Sequence, residues 1–185
     1  MRFLILATPL LVVITISVFS YTYLKSGKDP NKPPSALLNK DLPEFSTKSL
    51  FNNNVSLSSN NIIRNINIET NDLEKKYTLI NFFASWCTPC KIEHPLFFKL
   101  AIDYPNLFIL GINHKDKKND AIRYLSSDGN PYNFVGVDPD GLIALEFGVF
   151  GLPETFLIDE YGKIIFKFMG PLTEEIINSD IKPLL

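Results

Sequence analysis

Residues 77–85, Tyr-Thr-Leu-Ile-Asn-Phe-Phe-Ala-Ser, are almost continuously apolar, the pattern of a strand buried on both faces. The run stops at Trp86-Cys87-Thr88-Pro89-Cys90, and from Lys91 to Asp103 the apolar residues recur at helical spacing. A strand buried on both faces must be covered on both, so the chain is expected to build an α/β layered fold around it. The only two cysteines of this 185-residue chain stand together at the strand-to-helix turn.

That spacing suits a dithiol that opens and closes. Residues i and i+3 on a first helical turn have Cβ atoms ~5–6 Å apart. A disulfide prefers ~3.5–4.5 Å, so the pair closes with a small adjustment of the turn. Cys87 falls at the helix N-terminus, where unpaired N–H groups and the macrodipole favour a thiolate. Pro89 fits the first turn, where its missing N–H costs nothing. Cys87 is therefore expected to be the exposed attacking thiolate, and Cys90 the more buried thiol that resolves the mixed disulfide. Two other uses compete. A structural staple is disfavoured because closing so short a loop removes little chain entropy. A metal site would need His94 or His114, yet there is no second cysteine pair and no His-x3–5-His, so no metal is expected.

From Phe3 to Leu24 the sequence carries no charge, and at ~1.5 Å per residue it is long enough to cross a ~30 Å hydrocarbon core. Residues 1–24 are expected to be an N-terminal signal-anchor. The alternative is a cleaved signal peptide, whose apolar region is normally shorter and whose small-residue cleavage pattern is poor here around Val18-Phe19-Ser20. Flanking charge does not orient the span, with Arg2 before it and Lys25, Lys28 and Lys32 after it. Residues 25–40, holding Pro30, Pro33 and Pro34, read as a semi-extended linker, and residues 41–185 as one domain. A net charge of −2 without a basic stripe argues against nucleic acid as a partner.

Along the domain, residues 41–75 predict short strands or a hairpin, with a turn at Asn52-Asn53-Asn54 and an apolar stretch from Ile62 to Ile68. Pro95 should kink the cysteine helix. Leu107 to Ile112 predicts a parallel neighbour strand, Lys118 to Ser126 a second helix, and Phe134 to Val137 another strand. Leu142 to Phe147 predicts a brief helix. Thr155 to Ile158 and Ile164 to Phe168, flanking Asp159-Glu160-Tyr161-Gly162, predict an antiparallel hairpin. Thr173 is the expected N-cap of a C-terminal helix. His94 is expected to be structural, and His114 and the run Lys115 to Asp120 to be solvated.

This order of elements, with Trp-Cys-x-x-Cys opening the first crossover helix, resembles the thioredoxin fold. Further stretches narrow the resemblance to the membrane-anchored thiol–disulfide proteins of cytochrome c maturation, the DsbE/CcmG type. They are Asn81 to Cys90, Glu93-His94-Pro95, Gly111-Ile112-Asn113, Gly129-Asn130-Pro131-Tyr132, Val137 to Gly141, Gly148 to Asp159, and Gly170-Pro171-Leu172. Together they cover most of residues 77–172, and Gly-x-x-Gly-x-Pro-Glu-Thr is the most specific of them.

The resemblance implies a thioredoxin-like fold with a mixed central sheet flanked by helices, preceded by the transmembrane helix. It implies a cis bond before Pro153, which would turn the Leu152 backbone toward an extended substrate peptide. Glu154 resembles the acid that the family places near the cysteines, there to raise a thiol pKa or carry a proton. Thioredoxins carry a buried Asp where this chain has Asn81, which cannot exchange a proton, so proton traffic falls to Glu154, Glu93 or water. Trp86, Thr88, Pro89, Leu152 and Pro153 are the expected docking residues, with Trp86 partly exposed.

The function implied is reduction of the Cys-x-x-Cys-His haem-attachment site of apocytochrome c, directly or through a haem-lyase component. The expected electron donor is a membrane thiol reductase, the expected place the bacterial inner membrane with the domain in the periplasm. No cofactor beyond the Cys87–Cys90 disulfide is expected. A broader disulfide reductase or isomerase is the second possibility, against which Gly-Leu-Pro-Glu-Thr speaks. A copper-delivery protein of the same fold is the third, and the cysteine spacing is one residue short for it.

Overall fold

The apolar run becomes β3 (Thr78–Phe83), every residue of which is buried. The computed structural model describes residues 2–25, 37–51 and 67–185, without the side chains of 2–7 and 24. The turn expected at Asn52–Asn54 and most of the stretch from Ile62 lie outside the described residues. Strand β3 is the centre of a five-stranded sheet of order β5-β4-β3-β6-β7. On one side β4 (Phe108–His114) runs parallel to β3, and β5 (Phe134–Asp138) parallel to β4. Parallel neighbours need crossovers, and α2 (Thr88–Asp103) and α3 (Lys118–Ser127) supply them. On the other side β6 (Glu154–Ile158) and β7 (Ile164–Met169) form the expected antiparallel hairpin. Its turn is closed by Asp159 Oδ1, which accepts from the amides of Tyr161 at 2.9 Å and Lys163 at 2.8 Å.

Alternation along β3 sends its side chains to two separate cores. Leu79 and Phe83 join Phe97 and Leu100 of α2, Leu125 of α3, and Ile177 and Ile181 of the C-terminal segment. Ile80 and Phe82 join Phe156, Phe147 and the inner side of α4 (Leu142–Glu146). Helices therefore cover both faces, as a two-sided apolar strand demands. Helix α2 continues through Pro95 to Asp103. Thr173 caps α5 (Glu174–Ile176), accepting from the Ile176 amide at 3.3 Å, and the chain finishes in wider and tighter helical turns over Ile177–Ile181 and Lys182–Leu184.

Two details differ from the sequence expectation. His114 is not a solvated loop residue: it ends β4, and its Nδ1 stands 2.9 Å from Asp138 Oδ2. Asp138 is held there because it also accepts from the amides of Ile143 and Ala144 at the start of α4. The domain also begins before residue 41. The Asn39 amide donates to the Ile164 carbonyl at 2.8 Å, the Ile164 amide donates to Lys40, and Leu37 packs against the second core. A backbone segment that can complete the edge of β7 is drawn into the fold. Nearby, β1 (Ser46–Lys48) and β2 (Asn67–Glu69) form a separate antiparallel ribbon. It docks on β5 through a Ser49–Gly136 bridge and the Leu50 amide on the Val135 carbonyl.

The chain divides into two units, Met1–Pro33 and Pro34–Leu185. In the first, α1 (Arg2–Lys25) is a 24-residue helix with Pro9 inside it. Among the described residues no helix is long and apolar enough to cross a membrane.

Candidate active site

The cysteines sit where β3 hands over to α2. Cys87 is the N-cap of α2 in extended conformation, and Cys90 lies one turn in. They are joined as a disulfide with Cα atoms 5.4 Å apart. Cys87 Sγ accepts the Cys90 amide at 3.2 Å, one of the four N–H groups that a helix start leaves unpaired. A donor aimed at that sulfur favours a thiolate once the bond opens. The two residues are nearly equally covered, Cys87 4% exposed and Cys90 3%. The expected contrast between an exposed and a buried cysteine is thus absent from the oxidised form, in which both lie in one core with Phe83 and Ala84. What is exposed is the rim: Trp86 at 61%, with Thr88 and Pro89 beside it.

The rim is held from β4. Asp116, expected to be solvated, accepts from the Ser85 amide at 2.6 Å and from the Ser85 hydroxyl at 2.9 Å. It also accepts from Asn113 Nδ2 at 3.0 Å and the Lys117 amide at 2.8 Å. The Trp86 indole N–H donates to the Lys115 carbonyl at 3.2 Å. The loop after β4 therefore fixes the turn that delivers Cys87. Sequence reasoning missed Asp116, which stands in a charged run like any surface helix start.

Beneath the cysteines lies a buried polar chain on the α2 face of the sheet. Glu93, only 1% exposed, stands three residues after Cys90. Its Oε1 accepts from Asn81 Nδ2 at 2.8 Å and its Oε2 from the Leu172 amide at 2.7 Å. Asn81 Nδ2 also donates to Thr155 Oγ1 at 3.1 Å, and its Oδ1 accepts the Tyr132 hydroxyl at 2.9 Å. Burial raises the Glu93 carboxyl to about 8, against the pull of the two hydrogen bonds. Burial also raises Tyr132 far above the usual phenol range. His94, on the same helix, is structural as expected: its Nε2 meets the Gly129 carbonyl at 3.0 Å, and burial lowers its pKa.

Glu154 is buried on the opposite face. In the register it pairs with Phe82, whereas Thr155 pairs with Asn81, and cross-strand partners share a face. Its Oε1 stands 2.7 Å from Lys167 Nζ, and its Oε2 accepts the Phe150 amide at 3.2 Å. Lys167 donates as well to the Gly148 carbonyl at 3.1 Å. The pair thus ties the loop 148–150 to β6 and β7. Burial pushes the Glu154 carboxyl up, while Lys167 pulls it back. Glu93 and Glu154, both expected to serve proton traffic at the cysteines, lie on opposite faces of the sheet, and among the described residues Glu93 has no cationic partner. The Leu152–Pro153 bond is cis. Pro153 is buried, and Leu152 is half-buried against both cores.

Residues 38–167 match the AhpC/TSA family. The chain is 36% identical to the thiol:disulfide interchange protein HelX of Rhodobacter capsulatus over 178 residues, 96% of this chain and 93% of that protein. It is 33% identical to the thiol:disulfide interchange protein DsbE of Escherichia coli over 183 residues, 97% of this chain and 92% of that one. In fold it is similar to the crystal structure of a DsbF homologue from Corynebacterium diphtheriae, with a TM-score of 0.65 at 19% identity over 85% of this chain and 94% of the other.

Proposed function

This chain belongs to the AhpC/TSA family and, within it, to the DsbE/CcmG-type thiol:disulfide interchange proteins, and on that premise we propose that it is a dedicated reductant in cytochrome c maturation. Its substrate is the oxidised Cys-x-x-Cys-His haem-attachment site of apocytochrome c, met directly or through a haem-lyase component. The observation that carries the reading is the closed Cys87–Cys90 pair at the start of α2 with buried Glu93 one turn beyond it.

In the reduced protein, Cys87 thiolate attacks one substrate sulfur. The substrate S–S bond breaks, a mixed disulfide forms, and the other substrate sulfur leaves as a thiolate that takes a proton from water. Cys90 then gives its proton to the Glu93 carboxylate and attacks Cys87 Sγ. The mixed disulfide breaks, the second substrate sulfur leaves as a thiolate that takes a proton from water, the Cys87–Cys90 bond closes, and Glu93 gives its proton up to solvent. Residues three apart on a helix have Cβ atoms ~5–6 Å apart, within reach directly or through one water. Burial raises the Glu93 carboxyl to about 8, near neutral pH, where a general base works best. A membrane thiol reductase returns two electrons and two protons to reopen the disulfide. Trp86, Thr88 and Pro89, with half-buried Leu152, form the docking rim, where the Leu152 backbone pairs with the substrate chain, and Pro153, expected on that rim, is buried beneath it. Glu154 acts on that rim through the loop 148–150.

The protein works on the periplasmic face of the inner membrane, anchored by the uncharged stretch from Phe3 to Leu24 within α1. The test is a trap. Cys90→Ser leaves Cys87 able to attack and unable to be released, and mass spectrometry of the captured species should find apocytochrome c or a haem-lyase component. A broad collection of unrelated envelope proteins would point instead to a general reductase.

A further inference from the structure

Tyr132 closes the stretch Gly129-Asn130-Pro131-Tyr132, which the mechanism above leaves without a task. Its hydroxyl is the far end of the buried chain Tyr132–Asn81–Glu93. An amide side chain is asymmetric: its carbonyl only accepts and its NH2 only donates. As it stands, the Asn81 NH2 meets Glu93 and Thr155, and its carbonyl meets Tyr132.

Half a turn of that amide would present the carbonyl to Glu93, a partner suited only to the protonated acid. Thr155 is indifferent, since a hydroxyl accepts or donates equally well. Tyr132 is not. It would have to accept from the NH2 and would give up the hydrogen bond that its own hydrogen now makes to Asn81 Oδ1, while its ring stays packed against those of Phe83, Phe97 and His94, with centroids 5.0, 5.7 and 6.2 Å away. The ring is seated on Gly111, where a Cβ would stand 2.9 Å from Tyr132 Cγ and 3.0 Å from Phe83 Cε1.

We propose that Tyr132 is a positioning residue that locks the Asn81 amide with its NH2 toward Glu93, and thereby favours the carboxylate form of Glu93, the proton acceptor one turn from Cys90. The lock rests on the reading of Glu93 given above and specifies what sets its protonation. The groups around Glu93 are Cys90 and His94 from α2, Tyr124 from α3, Tyr132 from the segment before β5, Asn81 from β3, Thr155 from β6, and the Leu172 amide after β7. In the oxidised protein the cysteines do not titrate. Burial sends both tyrosines above the ordinary phenol range and His94 below the ordinary imidazole range. Between those limits Glu93 is the group of this set that titrates.

The experiment follows the side-chain carboxyl carbon of Glu93 by NMR in the oxidised full chain, with Glu93→Gln identifying the resonance. The midpoint, about 8 in the native protein, should rise by about one pH unit in Tyr132→Phe, a tenfold easier protonation. Gly111→Ala, which pushes the ring off its seat, should move it the same way. In an Asn81→Ala background Tyr132→Phe should add nothing. An unchanged or lowered midpoint, or a full shift without Asn81, overturns the lock. The pH profile of mixed-disulfide resolution is read separately. If the resonance moves and that profile does not, the lock stands, and Glu93 is not the acceptor for Cys90.

Discussion

Glu93 makes the site measurable at the scale of one residue. Its folded-state pKa of about 8 lies above the ordinary value of 4.5, so between those values the native protein holds a proton that the unfolded chain has lost. Stability must therefore fall as pH rises through that window, by up to ~1.4 kcal/mol per pH unit, and level off above it. Glu93→Gln is neutral throughout and removes that slope. Urea unfolding of the oxidised proteins at a series of pH values should show the variant gaining on the native chain up to about pH 8. His94 contributes the opposite sign below its ordinary 6.5, equally in both proteins. The residue types of this site were legible in the sequence, since Cys87, Cys90, Glu93, Asn81 and Glu154 all carry unusual chemistry for their places. Which face of the sheet each acid occupies was not, because that depends on the pairing of β6 with β3, a contact between residues some seventy positions apart.

Elements decide how precisely the cysteines are presented. The turn before α2 is not self-supporting: Asp116, on the loop after β4, carries the Ser85 backbone and side chain together. Asp116→Ala should loosen that turn and the Trp86 ring that leans on Lys115. The expected result is a raised KM for a folded protein disulfide with little change toward a small aromatic disulfide, measured by steady-state exchange with both. Equal losses on both substrates would show instead that the turn controls the sulfur itself. Strand and helix positions were largely legible, since β3, α2, β4, α3, β5 and the β6–β7 hairpin have strong periodicity and clear turn residues. The loop role of Asp116 was not, because one carboxylate in Lys115 to Asp120 carries no sign of which backbone amides it will meet.

At the scale of the whole molecule, the chain divides into two units, Met1–Pro33 and Pro34–Leu185. Residues from Pro34 onward contain both cores and every group of the site. A chain lacking residues 1–33 should keep its thermal midpoint and its exchange rate in solution while leaving the membrane fraction, as read by calorimetry and by fractionation of cells. Loss of the thermal transition would show that the domain needs the helix to fold. The α/β class followed from a single two-sided strand, but the start of the domain did not. Leu37 to Lys40 look like linker in composition and become structural only because β7 offers them an open edge.

Trp86, the chain's single tryptophan, sits exposed immediately before Cys87. Its light emission therefore comes from one place, the lip of the disulfide, with no second indole to dilute the signal. The protein carries its own optical gauge: opening of the disulfide, formation of the mixed disulfide and arrival of a partner each alter the surroundings of the same ring. Every half-reaction of the cycle can thus be timed on the native chain without attaching a dye.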